Sequence, residues 1–360
     1  MDDALRAELI DLTSALIRFP SVADRPDQLA AVAEYVAREL AAIPGLFVHR
    51  SERAGKPAIV ATLHETRTPA LMLNAHLDVV RGLPEQFEPV VRDGRIYGRG
   101  AQDMKGSAAV LLRLLKDLAR RDPRPDLGVQ FVTDEEIGGV NGVGRLVEEG
   151  WRCGFFIVAE PTDLDICYEH KGGMRMDVIA TGVPAHGSRP WAGRNPLLTL
   201  ALGLAELNRR FPQPSEPVWA TTITPTEFQA GAGSNNQIPP EARVNLDIRL
   251  MPDDDPAAIA AAVQACFPDA TLDWRDSPPL RTDPASPYVQ RLAAIVEQVR
   301  GRPPQLYREH FGTDARFYSA ARIPAVCFGP VGAGLHSDQE WVAIESLAQL
   351  YNVLARFCTA

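Results

Sequence analysis

Short apolar runs alternate with compact polar clusters along this chain, and the alternation restricts the fold more than any other feature. Runs at 70–74, 128–132 and 155–158 are apolar enough to form buried strands, with helical patterns between them. Strands that alternate with helices indicate an α/β fold, a mainly parallel sheet flanked by helices. Four of five polar clusters lie at or just beyond an apolar run, where such a sheet presents side chains to a ligand. The clusters are 75–78, 102–106, 133–136, 159–161 and 335–338.

The pattern changes in the middle of the chain. A chain of 360 residues is too long for one ordinary core, so two domains are expected. Residues 173–181 alternate as a half-exposed strand does, and long helical patterns accompany further strands, which favours an α+β sandwich. We therefore predict one α/β domain of 1–171 and 284–360, interrupted by an inserted α+β domain of 172–283.

Composition excludes several classes of function. Contents of 46% hydrophobic and 23% charged residues are typical of a soluble globular protein. The net charge of −9, without a basic stripe, argues against nucleic acid and anionic membranes as partners, and no apolar run is long enough to span a bilayer. The five cysteines are widely spaced and form no CxxC pair, so we expect reduced thiols in a cytoplasmic protein. The acidic N-terminal segment is not typical of a secretory signal.

The first polar cluster contains a possible metal ligand. His76 and Asp78 flank Leu77 on an extended segment, so their side chains are expected to share a face. His76 can bind a metal while Asp78 hydrogen-bonds the other ring nitrogen and fixes the tautomer. A strand-end histidine beside an exposed aspartate is the alternative for this pair alone. Asp103 follows a glycine-rich approach and is predicted to bridge two metals, with a helix N-cap as the alternative.

The remaining clusters supply further carboxylates and a second histidine. Glu135 and Glu136 are adjacent and point in different directions, which suits a general base at Glu135 and a metal ligand at Glu136. Glu160 is predicted to be a second carboxylate ligand, and His336 lies in a glycine-rich loop. Each of these residues alone is consistent with a solvated loop position. Together they form an oxygen and imidazole set without thiolate, which suits zinc, manganese or cobalt and, with Asp103 shared, two ions.

These motifs resemble those of the co-catalytic di-zinc amidohydrolases. That family includes acetylornithine deacetylase, succinyl-diaminopimelate desuccinylase, aminoacylase, glutamate carboxypeptidase and bacterial dipeptidases. The resemblance extends over essentially the whole chain, and segment 97–106 is its most specific match. It implies a metal-dependent hydrolase of amide bonds with two divalent metal ions, zinc first and cobalt or manganese as alternatives. One ion is assigned to His76, Asp103 and Glu160. The other ion is assigned to Asp103, Glu136 and His336.

By the same resemblance, the inserted domain is a lid that also forms a homodimer. His186 is expected to act in the partner subunit's active site by stabilising the tetrahedral oxyanion, and a plain turn histidine is the alternative. Asn235 and Asn236 lie in a segment that resembles the family's Asn-x-Ile-Pro motif. Arg249 resembles the arginine that binds a substrate carboxylate, and an ion pair with Asp247 is its alternative.

Thr313 lies in segment 312–316, which resembles a substrate-side loop. Desuccinylases tend to have a Ser-Asp-Gly sequence there, so this departure argues against that exact substrate. The predicted reaction is hydrolysis of N-acyl amino acids or short peptides, in which Glu135 passes a proton from water to the leaving amine. A dipeptidase or carboxypeptidase with the same site is the alternative. An aminopeptidase without a lid and a non-catalytic binding protein are disfavoured by the inserted segment and by the intact set of candidate ligands.

Overall fold

The computed structural model describes residues 3–231 and 233–359, so Met1, Asp2, Ala232 and Ala360 of the predicted domain ranges lie outside the described residues. The described helices are α1 Asp3–Ile17, α2 Pro26–Ala41, α3 Gly106–Leu118, α4 Val143–Glu148, α5 Pro196–Arg210, α6 Pro256–Gln264, α7 Pro287–Arg300, α8 Ala315–Ala320 and α9 Ile344–Thr359. The described strands are β1 Phe47–Arg53, β2 Lys56–Thr62, β3 Leu71–His76, β4 Val90–Arg92, β5 Arg95–Tyr97, β6 Leu127–Val132, β7 Phe155–Val158, β8 Ile166–His170, β9 Gly172–Thr181, β10 Thr222–Ala230, β11 Glu241–Leu250, β12 Thr271–Ser277, β13 Leu280–Arg281, β14 Leu306–Glu309, β15 Ala325–Cys327, β16 Gly332–Ala333 and β17 Trp341–Ala343.

The described chain packs into two compact units. The first unit consists of residues up to Glu169, Leu280–Arg308 and residues from Thr313 onward. The second unit consists of His170–Pro279 and Glu309–Gly312. The prediction had ended the first segment at 171 and resumed it at 284, with 309–312 kept in the first domain. In the structure this short segment packs with the second unit, where the main-chain N–H of Lys171 donates to the carbonyl of Glu309 over 3.1 Å.

The first unit is built on a nine-stranded sheet of order β1-β2-β6-β3-β7-β15-β8-β13, with β14 beside β8. The central strands β6, β3, β7 and β15 pair in parallel, whereas β1, β2 and β8 pair antiparallel with their neighbours. All six residues of β3 are buried, as its apolar run predicts for a central strand. The register pairs His76 with Val132 and Asn74 with Val158. The carboxyl ends of β3, β6 and β7 therefore reach the same edge of the sheet.

Helices cover the sheet of the first unit. Helix α3 packs against β3, α2 against β2 and α8 against β7, while α1 and α9 pack on α3 and α7 packs on α9. The apolar residues of α3 recur at helical spacing and are buried. No helix among residues 3–231 and 233–359 is long and apolar enough to cross a membrane. The predicted α/β class is confirmed for this unit, with antiparallel strands toward the outside of the sheet.

A separate small sheet of order β16-β17-β5-β4 lies within the first unit. Its strands are two or three residues long, which is too short for a periodic pattern to show in the sequence. Trp341 of β17 pairs with Tyr97 of β5. The loop that follows β5 therefore begins beside the point where the loop before β17 ends. These two loops contain Asp103 and His336, respectively.

The second unit is an antiparallel sheet of order β10-β11-β9-β12 with two helices. Strand β9 alternates along its length, and Met174, Met176 and Val178 on one face are buried. Helix α5 packs on β9 and β11, and α6 packs on β12. The predicted α+β arrangement of antiparallel strands and two helices is confirmed here.

A buried hydrogen bond in the first unit allows a test of its packing. The side-chain N–H of Gln130 donates to the hydroxyl of Tyr318 over 2.7 Å, and the Tyr318 ring stacks on Phe156 with centroids 3.8 Å apart. Tyr318→Phe keeps the ring but leaves a buried donor without its acceptor, so we expect a loss of about 1–3 kcal/mol in the free energy of unfolding by urea denaturation.

Tyr35→Phe serves as the matched control for this variant. Tyr35 is partly buried in α2, and its hydroxyl makes no hydrogen bond to the residues that the structure describes. Its removal is expected to change the free energy of unfolding by less than about 0.5 kcal/mol. Equal losses in the two variants would contradict the importance assigned to the buried bond.

Candidate metal centre

Three strand ends and two loops of the first unit converge on one cluster of polar side chains. A histidine ends β3, a pair of glutamates follows β6 in a short 3-10 turn, and a further glutamate follows β7. The other two residues lie on the loops beside β5 and β17. The residues brought together are His76, Asp103, Glu135, Glu136, Glu160 and His336.

Asp103 lies between the two histidines. Its Oδ1 is 2.9 Å from His76 Nε2, and its Oδ2 is 3.2 Å from His336 Nε2. On the first side, His76 Nε2 is 3.8 Å from Glu160 Oε1. On the second side, His336 Nε2 is 3.3 Å from Glu136 Oε2. One carboxylate therefore faces two separate pairs, each made of an imidazole and a carboxylate.

The chemistry of this set fits divalent cations. One ligand atom each from His76, Glu135 and Glu160 lies within 4.8 Å of the others, and the same holds for His76, Asp103 and Glu136. The donors are carboxylate oxygens and imidazole nitrogens, which zinc, manganese and cobalt accept. Four carboxyl groups share the cluster with two imidazoles, so its acidic groups outnumber its basic ones. Bound divalent cations would balance this excess.

Burial controls the acidity of the glutamates. Burial raises the pKa of Glu160 well above its ordinary value, and the nearby charge of Asp103 adds to the effect. Burial also raises the pKa of Glu135 well above its ordinary value, with the carboxylate of Asp314 as the next cause. A raised pKa at Glu135 is the property that a general base near neutral pH requires.

The histidines respond in the opposite way. Hydrogen bonds to Asp103 and Glu136 raise the pKa of His336 to about 10. Burial opposes a charged ring at His76, but its hydrogen bond to Asp103 and nearby carboxylates raise the pKa well above the ordinary value. Although burial also opposes the charge of Asp103, hydrogen bonds from both histidines lower the pKa of this carboxyl group.

Asp78 supports the glutamate pair rather than the ring of His76. Strand β3 ends at His76, so Asp78 lies beyond it. His76 Nδ1 is 2.9 Å from the main-chain carbonyl of Asp78 and 3.6 Å from its carboxylate. The carboxylate instead accepts from the main-chain N–H groups of Glu135 at 3.3 Å and Glu136 at 3.0 Å. The predicted hydrogen bond between this carboxylate and the ring is therefore wrong, because the side chain turns toward the turn after β6.

Local geometry also argues against simpler explanations for two of the carboxylates in this region. Asp103 does not cap α3, which begins at Gly106 without a side-chain cap. Asp134 is not a surface charge: it is fully buried and accepts from the main-chain N–H of Asn141 over 2.7 Å. The main chain of His336 has a φ of 58°, a left-handed conformation that costs a non-glycine residue about 1–3 kcal/mol. Such strained residues concentrate at functional sites.

Comparison with known proteins identifies the family. Residues 72–360 match Peptidase family M20/M25/M40. The chain belongs to this family.

Similar sequences include a succinyl-diaminopimelate desuccinylase from Stenotrophomonas maltophilia strain R551-3, which is 31% identical over 97% of each chain. The desuccinylase of strain K279a is 32% identical over 97% of each chain. The predicted membership of a metal-dependent amidohydrolase and peptidase family is confirmed, so this M20 chain is an enzyme of that class.

Solved structures of M20 proteins share the fold. A metallo-carboxypeptidase from Sulfolobus solfataricus superposes with a TM-score of 0.82 at 19% identity over 98% of each chain. A dinuclear metal-binding peptidase from Bacillus subtilis superposes with a TM-score of 0.71 at 15% identity over 99% of this chain and 98% of that one. These likenesses confirm the predicted fold class.

In the second unit of this M20 chain, His186 and Asn236 lie together. The side-chain amide of Asn236 is 3.3 Å from His186 Nε2. The main-chain N–H of Ser188 donates to His186 Nδ1 over 3.1 Å, and the Ser188 hydroxyl lies 2.8 Å from the same ring nitrogen. Asn235, next to this pair, is exposed.

The other two predicted substrate residues have partners within the structure. Arg249 donates to both carboxylate oxygens of Asp247, from Nε over 2.7 Å and from Nη2 over 3.1 Å. Thr313 is buried in the first unit, with its hydroxyl 3.2 Å from the sulfur of Cys327. The substrate roles of Arg249 and Thr313, like those of Asn235 and Asn236, stay predictions.

Sequence reasoning missed two buried carboxylates beside the cluster. Asp314 is fully buried, and its charge is a cause of the raised pKa of Glu135. Glu340 is 2% exposed and lies four positions after His336 in the sequence. The only sequence signal for Glu340 was its position directly before the short apolar strand β17, where a surface charge is equally common.

Removal of bound metal is expected to destabilise the first unit, because the buried carboxylates then lose their counter-charge. Protein treated with a chelator should unfold at lower urea concentration than protein refilled with zinc. At a free zinc concentration of one hundred times Kd, each independent site adds about 2.7 kcal/mol to the free energy of unfolding.

Asp103→Asn is the control for this effect. It removes the charge of the carboxylate that faces both histidines, so its stability should respond much less to zinc than that of the unaltered chain. Identical unfolding curves for the chelated and the zinc-treated unaltered chain would contradict a metal centre at this cluster.

Proposed function

We propose that this enzyme hydrolyses the amide bond of N-acyl amino acids with two divalent metal ions bound at the cluster. The observation that supports the proposal is the position of Asp103 between two histidine–carboxylate pairs. His76, Asp103 and Glu160 would hold one ion. Asp103, Glu136 and His336 would hold the other ion. When bound, such ions polarise a carbonyl oxygen and make a water molecule more acidic; zinc is the first choice, with cobalt or manganese as alternatives.

Glu135 is the general base in this proposal. It lies beside His76 and Glu160, and its raised pKa allows it to take a proton from water and return it to the leaving amine. The hydrogen bond from its main-chain N–H to Asp78 fixes the turn on which it lies. Asp78 therefore contributes by holding both glutamates, one for proton transfer and one for metal binding.

The second unit supplies groups for the substrate. We propose that His186 donates from Nε2–H to the developing oxyanion in the partner subunit's site, since the Ser188 N–H occupies its other ring nitrogen. Arg249 is proposed to bind the substrate carboxylate by exchanging Asp247 for it, because the planar guanidinium binds either carboxylate in the same bidentate way. Asn235 and Asn236 are proposed to bind the same end of the substrate, and Thr313 to line the acyl side.

A homodimer through the second unit is part of the proposal. Strand β10 is an outer strand of its sheet and is exposed over most of its length, with Phe228 46% exposed. Helix α5 of the same unit also exposes Leu198 and Leu202, at 61% and 73%. An exposed outer strand suits pairing with the same strand of a second copy about a two-fold axis. A cytoplasmic location is proposed from the five free cysteines.

The substrate's acyl group is considered separately from the reaction type. Relatives named as desuccinylases favour N-succinyl amino acids, whereas the Gly-Thr-Asp sequence at 312–314 favours a different acyl group. Because the matched family is described as one of peptidases, a dipeptidase or carboxypeptidase activity at the same site is the second candidate. A hydrolysis screen of N-acetyl amino acids, N-succinyl amino acids and dipeptides separates these reactions. It should be run on isolated, chelated and zinc-, cobalt- or manganese-refilled enzyme, and no metal-restored cleavage of any substrate would contradict the proposal.

Glu135→Gln tests the general base. The variant keeps the size of the side chain but accepts no proton, so kcat is expected to fall by about 10²–10⁴-fold while zinc stays bound. The measurements are steady-state kinetics and metal content for the same preparation. Glu34→Gln, on the exposed surface of α2, is the control and should keep full activity. Near-normal kcat in a metal-loaded Glu135→Gln enzyme would refute the assignment.

Phe228→Lys tests the dimer. A charged side chain on β10 is expected to shift the protein to monomers, measured by light scattering after size-exclusion chromatography. Phe47→Lys is a matched control, because Phe47 is 45% exposed on β1, an outer strand of the nine-stranded sheet in the first unit. Monomers for the unaltered chain, or equal effects of both variants, would contradict a dimer interface on β10.

A further inference from the structure

Glu340 is buried beside the loop that contains Asp103. Its Oε2 accepts from Arg99 Nη1 over 2.7 Å and from the main-chain N–H of Gly100 over 3.0 Å. Its Oε1 accepts from the main-chain N–H groups of Gln102 over 3.0 Å and Asp103 over 3.2 Å. One carboxylate thus binds a guanidinium and three main-chain donors in the turn that ends at Asp103.

The turn that Glu340 binds is not part of a regular helix. Gly100 has a left-handed φ of 81°, and Asp103 has φ −116° and ψ 91°. The N–H groups of Gly100, Gln102 and Asp103 therefore converge instead of following one helical ladder. A carboxylate satisfies such converging donors, because it offers two oxygens and a negative charge.

The main chain of Glu340 is attached to the same loop. Its carbonyl accepts from the N–H of Gly98 over 3.1 Å, which continues the β5–β17 ladder beyond the pair of Tyr97 and Trp341. His336 lies four positions before Glu340 on the loop that leads into β17. Through its side chain and its main chain, Glu340 therefore connects the loop of His336 with the loop of Asp103.

We propose that Glu340 is a positioning residue that sets the distance between Asp103 and His336, and thereby the geometry of the metal position that these two residues share with Glu136. The proposal rests on the proposed two-metal function. The side chains of Asp103 and His336 are 3.2 Å apart, a separation that requires both loops to be held in place. Arg99 balances the buried charge of Glu340, and the three main-chain hydrogen bonds fix the position of the turn that ends at Asp103. Changes to residues that orient metal ligands weaken metal binding by about 10–100-fold.

Glu340→Gln tests the proposal in two ways. The variant presents an amide N–H₂ where one oxygen accepted hydrogen bonds, so at least one pair of donors loses its acceptor. In metal-free protein, hydrogen exchange at the amides of Gly100, Gln102 and Asp103 should become faster. In zinc titrations by calorimetry, the ion held by Asp103, Glu136 and His336 should bind about 10–100-fold more weakly, while the ion held by His76, Asp103 and Glu160 should lose less affinity.

Two further variants separate positioning from general loss of stability. Arg99→Gln removes the buried ion pair but leaves the three main-chain bonds, so it should lower Tm and keep both zinc affinities. Val296→Ala creates a cavity in α7, which contains no residue of the cluster, and it should also lower Tm without weakening zinc binding. Weakening of the same ion by either variant to the extent seen with Glu340→Gln would overturn the proposal.

Different results would overturn the role of Glu340 and the proposed two-metal function. Wild-type affinity for both zinc ions in Glu340→Gln, or unchanged amide exchange in its metal-free form, would overturn the role of Glu340. Absence of zinc binding by the unaltered chain, with faster amide exchange in metal-free Glu340→Gln, would overturn the proposed function and with it the metal-positioning role.

Discussion

The crowding of carboxylates in one pocket is the constraint on which the rest of the first unit depends. A buried carboxylate without partners costs several kcal/mol, so each one needs a donor or a positive charge. His76 and His336 are such partners for Asp103. Main-chain N–H groups are such partners for the carboxylates of Asp78 and Glu340. The main-chain N–H groups cannot lose their donor role by titration, and an excess of carboxyl groups over basic partners at the cluster favours cations there.

Two different sheets bring the ligands together. Parallel pairing of β6, β3 and β7 places one histidine and three glutamates at the same edge. The small sheet brings in Asp103 and His336. The pairing of Tyr97 with Trp341 places the loop after β5 next to the loop before β17. The central strands β3, β6 and β7 of the first sheet are buried along their whole length. The small sheet is short, and the carboxylate of Glu340 accepts hydrogen bonds from the loop that contains Asp103.

The strands and helices with strong periodicity could be predicted from the sequence, because burial fixes their pattern. Strand β3 and helix α3 are of this kind. The residues of the cluster were also predictable, since each follows a recognisable run or lies in a motif. Asp78 was assigned to the wrong hydrogen bond, and Glu340 was missed. Both depend on main-chain donors far away in sequence, and no local pattern reports such contacts.

The second unit interrupts the first between Glu169 and Leu280, and this has a consequence for biosynthesis. The segments with His76, Asp103, both adjacent glutamates and Glu160 leave the ribosome before the interruption, whereas His336 and Glu340 leave it after the interruption. Strand β7 pairs with β15, and β5 pairs with β17. In both pairs the second strand is made only after the second unit. Such distant pairings form late. The nascent chain therefore lacks the second imidazole of the cluster until the whole second unit has been made, so the cluster assembles only after that unit.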